Sequence, residues 1–123
     1  ASHVQWGINT ATSNRYYAET SDGTTKNDVF VTSASFGSQI LVTLINDESA
    51  NTTLFADGVA GTPVAAQAPM NDTSNALEIG RDPYRSSFYF SGTQQELILF
   101  DSDQGSNRTD IESNINKHFK IYE

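Results

Sequence analysis

Cysteine is absent from the 123 residues, which removes disulfides, thiolate nucleophiles and zinc-thiolate sites and leaves the redox compartment open. Basic residues are scarce: 7 Lys and Arg stand against 15 Asp and Glu, for a formal net charge of −8. So few scattered cations cannot neutralise a row of phosphates, so nucleic acid is excluded as a partner and an anionic membrane surface is a poor one. Long apolar runs are missing too. Nothing approaches the roughly 18 residues that a helix needs to enter and cross a bilayer, and no basic segment followed by an apolar one opens the chain, so membrane insertion is not expected. Helical periodicity is found once, near the C-terminus.

What remains is rich in Ser, Thr, Asn and Gly, with 37% apolar and 18% charged residues. That balance fits short strands joined by polar turns, and the length fits a single domain over residues 1–123. Val4, Trp6 and Ile8 alternate with polar residues, the period of a strand with one buried face, which puts Trp6 inside. Residues 15–20 read as its hairpin partner, with Tyr16 and Tyr17 on opposite faces, and residues 28–32 as the next strand. The continuous run 39–45, Gln-Ile-Leu-Val-Thr-Leu-Ile, predicts a central strand covered by a second sheet. Residues 52–56 end in Asp57-Gly58, the pair best suited to the positive φ angles of a tight hairpin. Pro63 and Pro69 confine residues 59–75 to a loop holding a short edge strand. Residues 76–79, 87–90 and 95–100 are the last expected strands, and consecutive apolar residues 97–100 imply contact on both faces. Thr109 and Glu112 form a capping box, and Ile111, Ile115 and Phe119 one apolar stripe, which together predict a closing helix.

From about residue 39 the order of features resembles the laminin G-like, concanavalin A-like superfamily. The residues that carry the resemblance are the apolar strand Ile40 to Ile45, the hairpin Leu54-Phe55-Ala56-Asp57-Gly58, the strand Leu77-Glu78-Ile79-Gly80, the stretch Phe90 to Asp101 and the short helix from Thr109. The resemblance implies an all-β, antiparallel jelly-roll β-sandwich with one short C-terminal helix. Family members run to about twice this length, so the likeness implies that N-terminal strands lie elsewhere, in the remainder of a larger polypeptide or in another chain that completes the sheets. It also implies a non-catalytic recognition module of extracellular, cell-surface or virion-surface proteins, which binds a glycan or a neighbouring subunit. A purely structural role in a virion or cell-surface assembly is the alternative.

Catalytic signatures are few. The glucanases of the superfamily resemble one another in an E-x-D-x-x-E strand, which has no counterpart here. Glu96 is followed by apolar residues that read as core, so a glycoside hydrolase is the lesser alternative. There is no G-x-S-x-G elbow, and His3 and His118 are far apart in sequence, a poor start for a triad or a zinc site. Sugars stack on exposed aromatics while amides, carboxylates and guanidinium groups bond their hydroxyls. Tyr16, Tyr17, Tyr84 and Tyr89 are the candidate platforms, with Asn14, Asp82 and Arg85 beside them. Asp101 and Asp103, followed by Gly105 and Glu112, partly match a calcium loop. Gly105 stands where a third oxygen ligand belongs, so the other reading is a loop whose Asp and Ser side chains cap the helix. Sequons at Asn51, Asn71 and Asn107 are expected by chance in so Asn- and Thr-rich a chain.

Overall fold

The computed structural model describes residues 2–9, 15–22, 24–32, 37–47, 49–66, 78–81 and 89–123. These form two antiparallel sheets, of three and four strands, and one short C-terminal helix. The first sheet is a meander of β1 (Ser2–Asn9), β2 (Arg15–Asp22) and β3 (Lys26–Thr32), as the alternation predicts. Residues directly opposite share a face, so Ala18 opposite Val29 and Tyr16 opposite Val31 line the inner side. Tyr17, opposite Phe30, lines the outer side.

In the second sheet, β5 (Asn51–Ala56) is flanked on one edge by β4 (Val42–Asn46) and on the other by two short strands, β6 (Val59–Ala60) and β7 (Val64–Ala65). β6 lies beside Phe55 and Ala56, and β7 beside Asn51 and Thr52. Between them the Gly61 amide donates to the Leu54 carbonyl oxygen at 2.8 Å. Asp57 and Gly58, at φ of 50° and 78°, turn β5 into β6. Two consecutive positive φ angles give a turn whose twist matches that of the strands it joins.

The two sheets meet in one core. Leu54 and Ala56 pack with Tyr16, Ala18, Val29 and Val31, and Ile40, Val42, Leu44 and Val64 close the margin. β2 and β3 lie against β5. The outcome for Trp6 differs from expectation: it stands opposite Ala18, on the inner face, yet is 40% exposed. The face is the one that the alternation predicts, but among the described residues β1 is the outer strand of its sheet, and it is β2 and β3 that lie against β5. The central position expected for residues 39–45 also needs correction. Among the described residues β4 pairs only with β5, so it is an edge strand, and its side chains are half-buried.

On the meander, Glu19 stands opposite Asp28, two like charges in register, with the Lys26 ammonium 2.7 Å from Glu19. Partial withdrawal from water, then the Glu19 charge, holds the Asp28 carboxyl above its usual range, while Lys26 opposes the shift. A folded-state pKa above the unfolded one means that Asp28 costs nothing below the unfolded carboxylate range and weakens the fold once pH has risen through the folded value. Asp28 is exposed and water screens these charges, so Asp28→Asn should stabilise the protein at neutral pH by only roughly 0.2–0.5 kcal/mol. The gain should fade on acidification, as followed by urea midpoints across pH.

Helix α1 (Arg108–Phe119) closes the chain after a 3-10 turn at Gly105–Asn107. Its apolar stripe, Ile111, Ile115 and Phe119, is half-buried. The expected capping box does not form. Asn107 occupies the cap without a side-chain bond, and Glu112 is drawn inward to Arg108, whose guanidinium stacks 4.0 Å from the Phe55 ring centroid. At the other end Lys120, at φ 54°, donates to the Asn116 carbonyl oxygen, and the Asn116 side chain binds the Ile121 and Tyr122 amides. That clamp turns the tail back, so that the Tyr122 hydroxyl lies beside Gly58.

Candidate functional site

The largest departure from a closed sandwich lies between Tyr89 and Phe100. Phe90 donates its amide to the Gly80 carbonyl oxygen at 2.7 Å, and Arg81 and Tyr89 make one isolated bridge, which is all the described residues show of the strands expected at 76–79 and 87–90. Beyond it the chain runs through residues 91–100 without entering a ladder. Among the described residues no backbone hydrogen bond joins 92–101 to another segment. The expected two-sided burial of Leu97, Ile98, Leu99 and Phe100 is thus overturned. All four are exposed, Leu99 to 61%, as are Tyr89 and Phe90. Four consecutive apolar residues can be buried only between two layers, and the described residues supply neither. Soluble proteins rarely leave so continuous an apolar stretch open unless something docks on it.

Among the described residues one side-chain contact ties the strip to the second sheet. The Gln39 side-chain amide donates to the Gln95 side-chain oxygen, which sets the start of the strip beside the entry to β4. The Leu41 carbonyl accepts from Asp57, and the Asp47 amide donates to Asn51. Antiparallel ladders alternate between bonded and non-bonded pairs, so positions 41, 43, 45 and 47 bond toward β5. Val42, Leu44 and Asn46 then turn their backbone N–H and C=O groups away from it, toward an edge that no other described strand pairs.

The aromatic candidates are dispersed. Tyr16 is in the core, 6% exposed, where burial and then the Asp57 charge raise its phenol above the usual range. Tyr17 is half-buried on the outer face of the meander, where its hydroxyl accepts from the Gln5 amide at 2.9 Å. A Cβ on Gly7 would stand 2.9 Å from the Tyr17 ring, so only glycine lets that ring lie across β1. Phe30 sits 6.5 Å from Tyr17 between ring centroids, and the Arg15 guanidinium lies 4.9 Å from the Phe30 centroid. Phe30 and Arg15 were not singled out from the sequence, although the period-two register of β2 and β3 already puts them on Tyr17's face. Tyr89 stands apart, 68% exposed, near Arg81, which forks onto the Glu78 carboxylate with Nη2 at 3.0 Å. That contact lowers the Glu78 pKa and raises that of Arg81. Asn14, Asp82, Tyr84 and Arg85 lie outside the described residues.

Asp101 and Asp103 are both exposed. Asp103 Oδ1 accepts from the Gly105 amide at 2.8 Å, which starts the 3-10 turn before α1. Among the described residues no three His, Asp or Glu side chains gather in a way that could hold a metal ion. His118 packs edge-on against Phe119 at 4.7 Å. An open groove of about 530 Å³ runs between Phe30–Thr32 and the Val59–Pro63 arm, and no titratable side chain lines it. Among the described residues no helix is long and apolar enough to cross a membrane.

No family model, curated protein or solved structure matches the chain.

Proposed function

We propose that the chain is a non-catalytic assembly module, a laminin G-like jelly-roll of a virion, cell-surface or other extracellular structure, which docks on protein through the apolar strip at residues 89–100. The observation that carries this reading is the exposure of Tyr89, Phe90 and Leu97 to Phe100, along a segment whose residues 92–100 join no ladder among the described residues. Bringing such a strip against a protein surface removes apolar area from water and gives its backbone groups partners, two gains that add. Recognition by strand addition works in this way.

Amide hydrogen exchange on dilute protein tests the premise. Residues 95–100 should exchange at close to open-chain rates and bind an apolar dye, and Leu99→Lys with Phe100→Lys should abolish the dye signal without moving the unfolding midpoint. Slow exchange in dilute protein would mean that the strip is covered by its own chain, and the reading would fall.

A second reading, glycan recognition, is favoured by one arrangement: Tyr17, Phe30, Arg15 and Gln5 form an aromatic and polar patch on the outer face of the meander. Sugar rings stack on such faces while amide and guanidinium groups bond their hydroxyls. Titration against a broad glycan panel decides it. Affinity no better than millimolar, or affinity indifferent to Tyr17→Ala and Arg15→Ala, removes it.

A further inference from the structure

The geometry points to a second copy of this chain as the partner: we infer that two copies pair reciprocally, the 95–100 segment of each extending the second sheet of the other along the free edge of β4. The inference rests on the assembly reading and names the occupant of the strip.

Three observations converge. First, the two complementary elements are on one molecule. The 95–100 segment lacks a backbone partner among the described residues, and β4 pairs there only with β5. Val42, Leu44 and Asn46 therefore offer the row of groups that an incoming strand requires. The lengths agree, six residues against the five of β4.

Second, the bond from Gln39 to Gln95 places both elements in the same patch. A two-fold axis through that patch satisfies both copies at once, because each strip meets the other's edge. The interface is isologous and closes at two. A donor strip remote from its acceptor edge would instead build an open chain of subunits.

Third, strip and edge both contribute area. Residues 97–100 expose between 36% and 61% of their surface, on the order of 400 Å² of mostly apolar area in each copy, about half of what one partner contributes to a standard interface, and the edge of β4 adds to it. Charge does not oppose the pairing locally. The strip carries only Glu96, and β4 carries no charged side chain.

Sedimentation equilibrium of the full chain over a concentration series, with residue-resolved amide exchange on the same samples, tests the inference. A reversible dimer is expected, with the amides of Val42, Leu44 and 95–100 slowing together as its population rises. Leu99→Lys, at a site exposed enough not to disturb the monomer's fold, should weaken the dimer roughly tenfold or more. A dimer in which β4 and strip amides stay fast overturns the strand-pairing inference. A monomer whose strip amides exchange rapidly overturns the second copy as occupant but leaves the assembly reading standing, since the strip is still open. A monomer with a protected strip overturns both.

Discussion

Gly61→Ala should lower stability by about 3 kcal/mol and the thermal midpoint by about 10 °C, far more than one added methyl group costs at an ordinary loop position. The reason is spatial. A Cβ built on Gly61 would lie 2.0 Å from the Phe30 carbonyl oxygen, 2.9 Å from its carbon and 3.3 Å from the Leu54 carbonyl oxygen. All three atoms are backbone, so no side chain can rotate away. Either the 59–65 arm lifts off β5 and loses the bond from Gly61 to Leu54, or β3 moves away from the second sheet and opens the core around Val29 and Val31. Thr62→Ala, the next residue and exposed, is the control, with an expected change under about 0.5 kcal/mol. Differential scanning calorimetry of the two variants decides it. Equal midpoints would mean that the arm does not lie against β3, and the account of how the sheets are joined would be lost.

The sequence shows why this position is special only after the fold is known. Gly61 stands in a Gly-, Pro- and Ala-rich stretch that reads as a loop, and nothing in the local pattern reveals that β3, some thirty residues earlier, passes over it. Local signals were the legible ones. Alternation located β1, with β2 as its hairpin partner and β3 as the next strand, the Asp57-Gly58 pair located the turn between β5 and β6, and the four-residue spacing of Ile111, Ile115 and Phe119 located the helix.

Three misreadings have one physical origin. Apolar alternation or an apolar run marks Trp6 and residues 97–100 for burial and residues 39–45 for a central position, and it does so whether or not a covering layer or a second neighbour is present. Sequence pattern reports the face a side chain belongs to, while depth depends on the layer beyond it. Among the described residues Trp6 is on the inner face of an outer strand, β4 is at an edge, and no layer covers Leu97 to Phe100. The same mismatch points to assembly, because residues written for a core but left in water mark where another surface belongs. Of the site residues, Tyr17 could be read from its outward register, whereas the companions Phe30 and Arg15 depend on the β2–β3 pairing. The capping box failed for a different reason. A Glu three residues after Thr109 fits that motif, but an Arg four residues before Glu112 offers a competing partner on the same helix face.

That competition yields the second large effect, in Arg108→Ala. Glu112 is 3% exposed, its Oε2 is held by Arg108 Nη1, and its Oε1 has no hydrogen-bond partner among the described residues. The Tyr122 phenol is raised above its usual range by partial burial and then by the Glu112 and Asp57 charges, with Arg108 alone opposing. Removing the guanidinium leaves a buried carboxylate without a counter-charge and uncovers the Phe55 ring, so a loss of about 3 kcal/mol is expected in urea unfolding at neutral pH. The partner variant separates charge from packing. Arg108→Met combined with Glu112→Leu removes both charges while it keeps their volume, and should return stability to the wild-type value or above it, since burying a well-packed apolar pair avoids the desolvation that the ion pair must overcome. If the double variant is as weak as Arg108→Ala, the pair acts through a fixed hydrogen-bonded geometry that holds α1 on the Asp57-Gly58 turn, and the helix should then show the fastest amide exchange of any element in both variants.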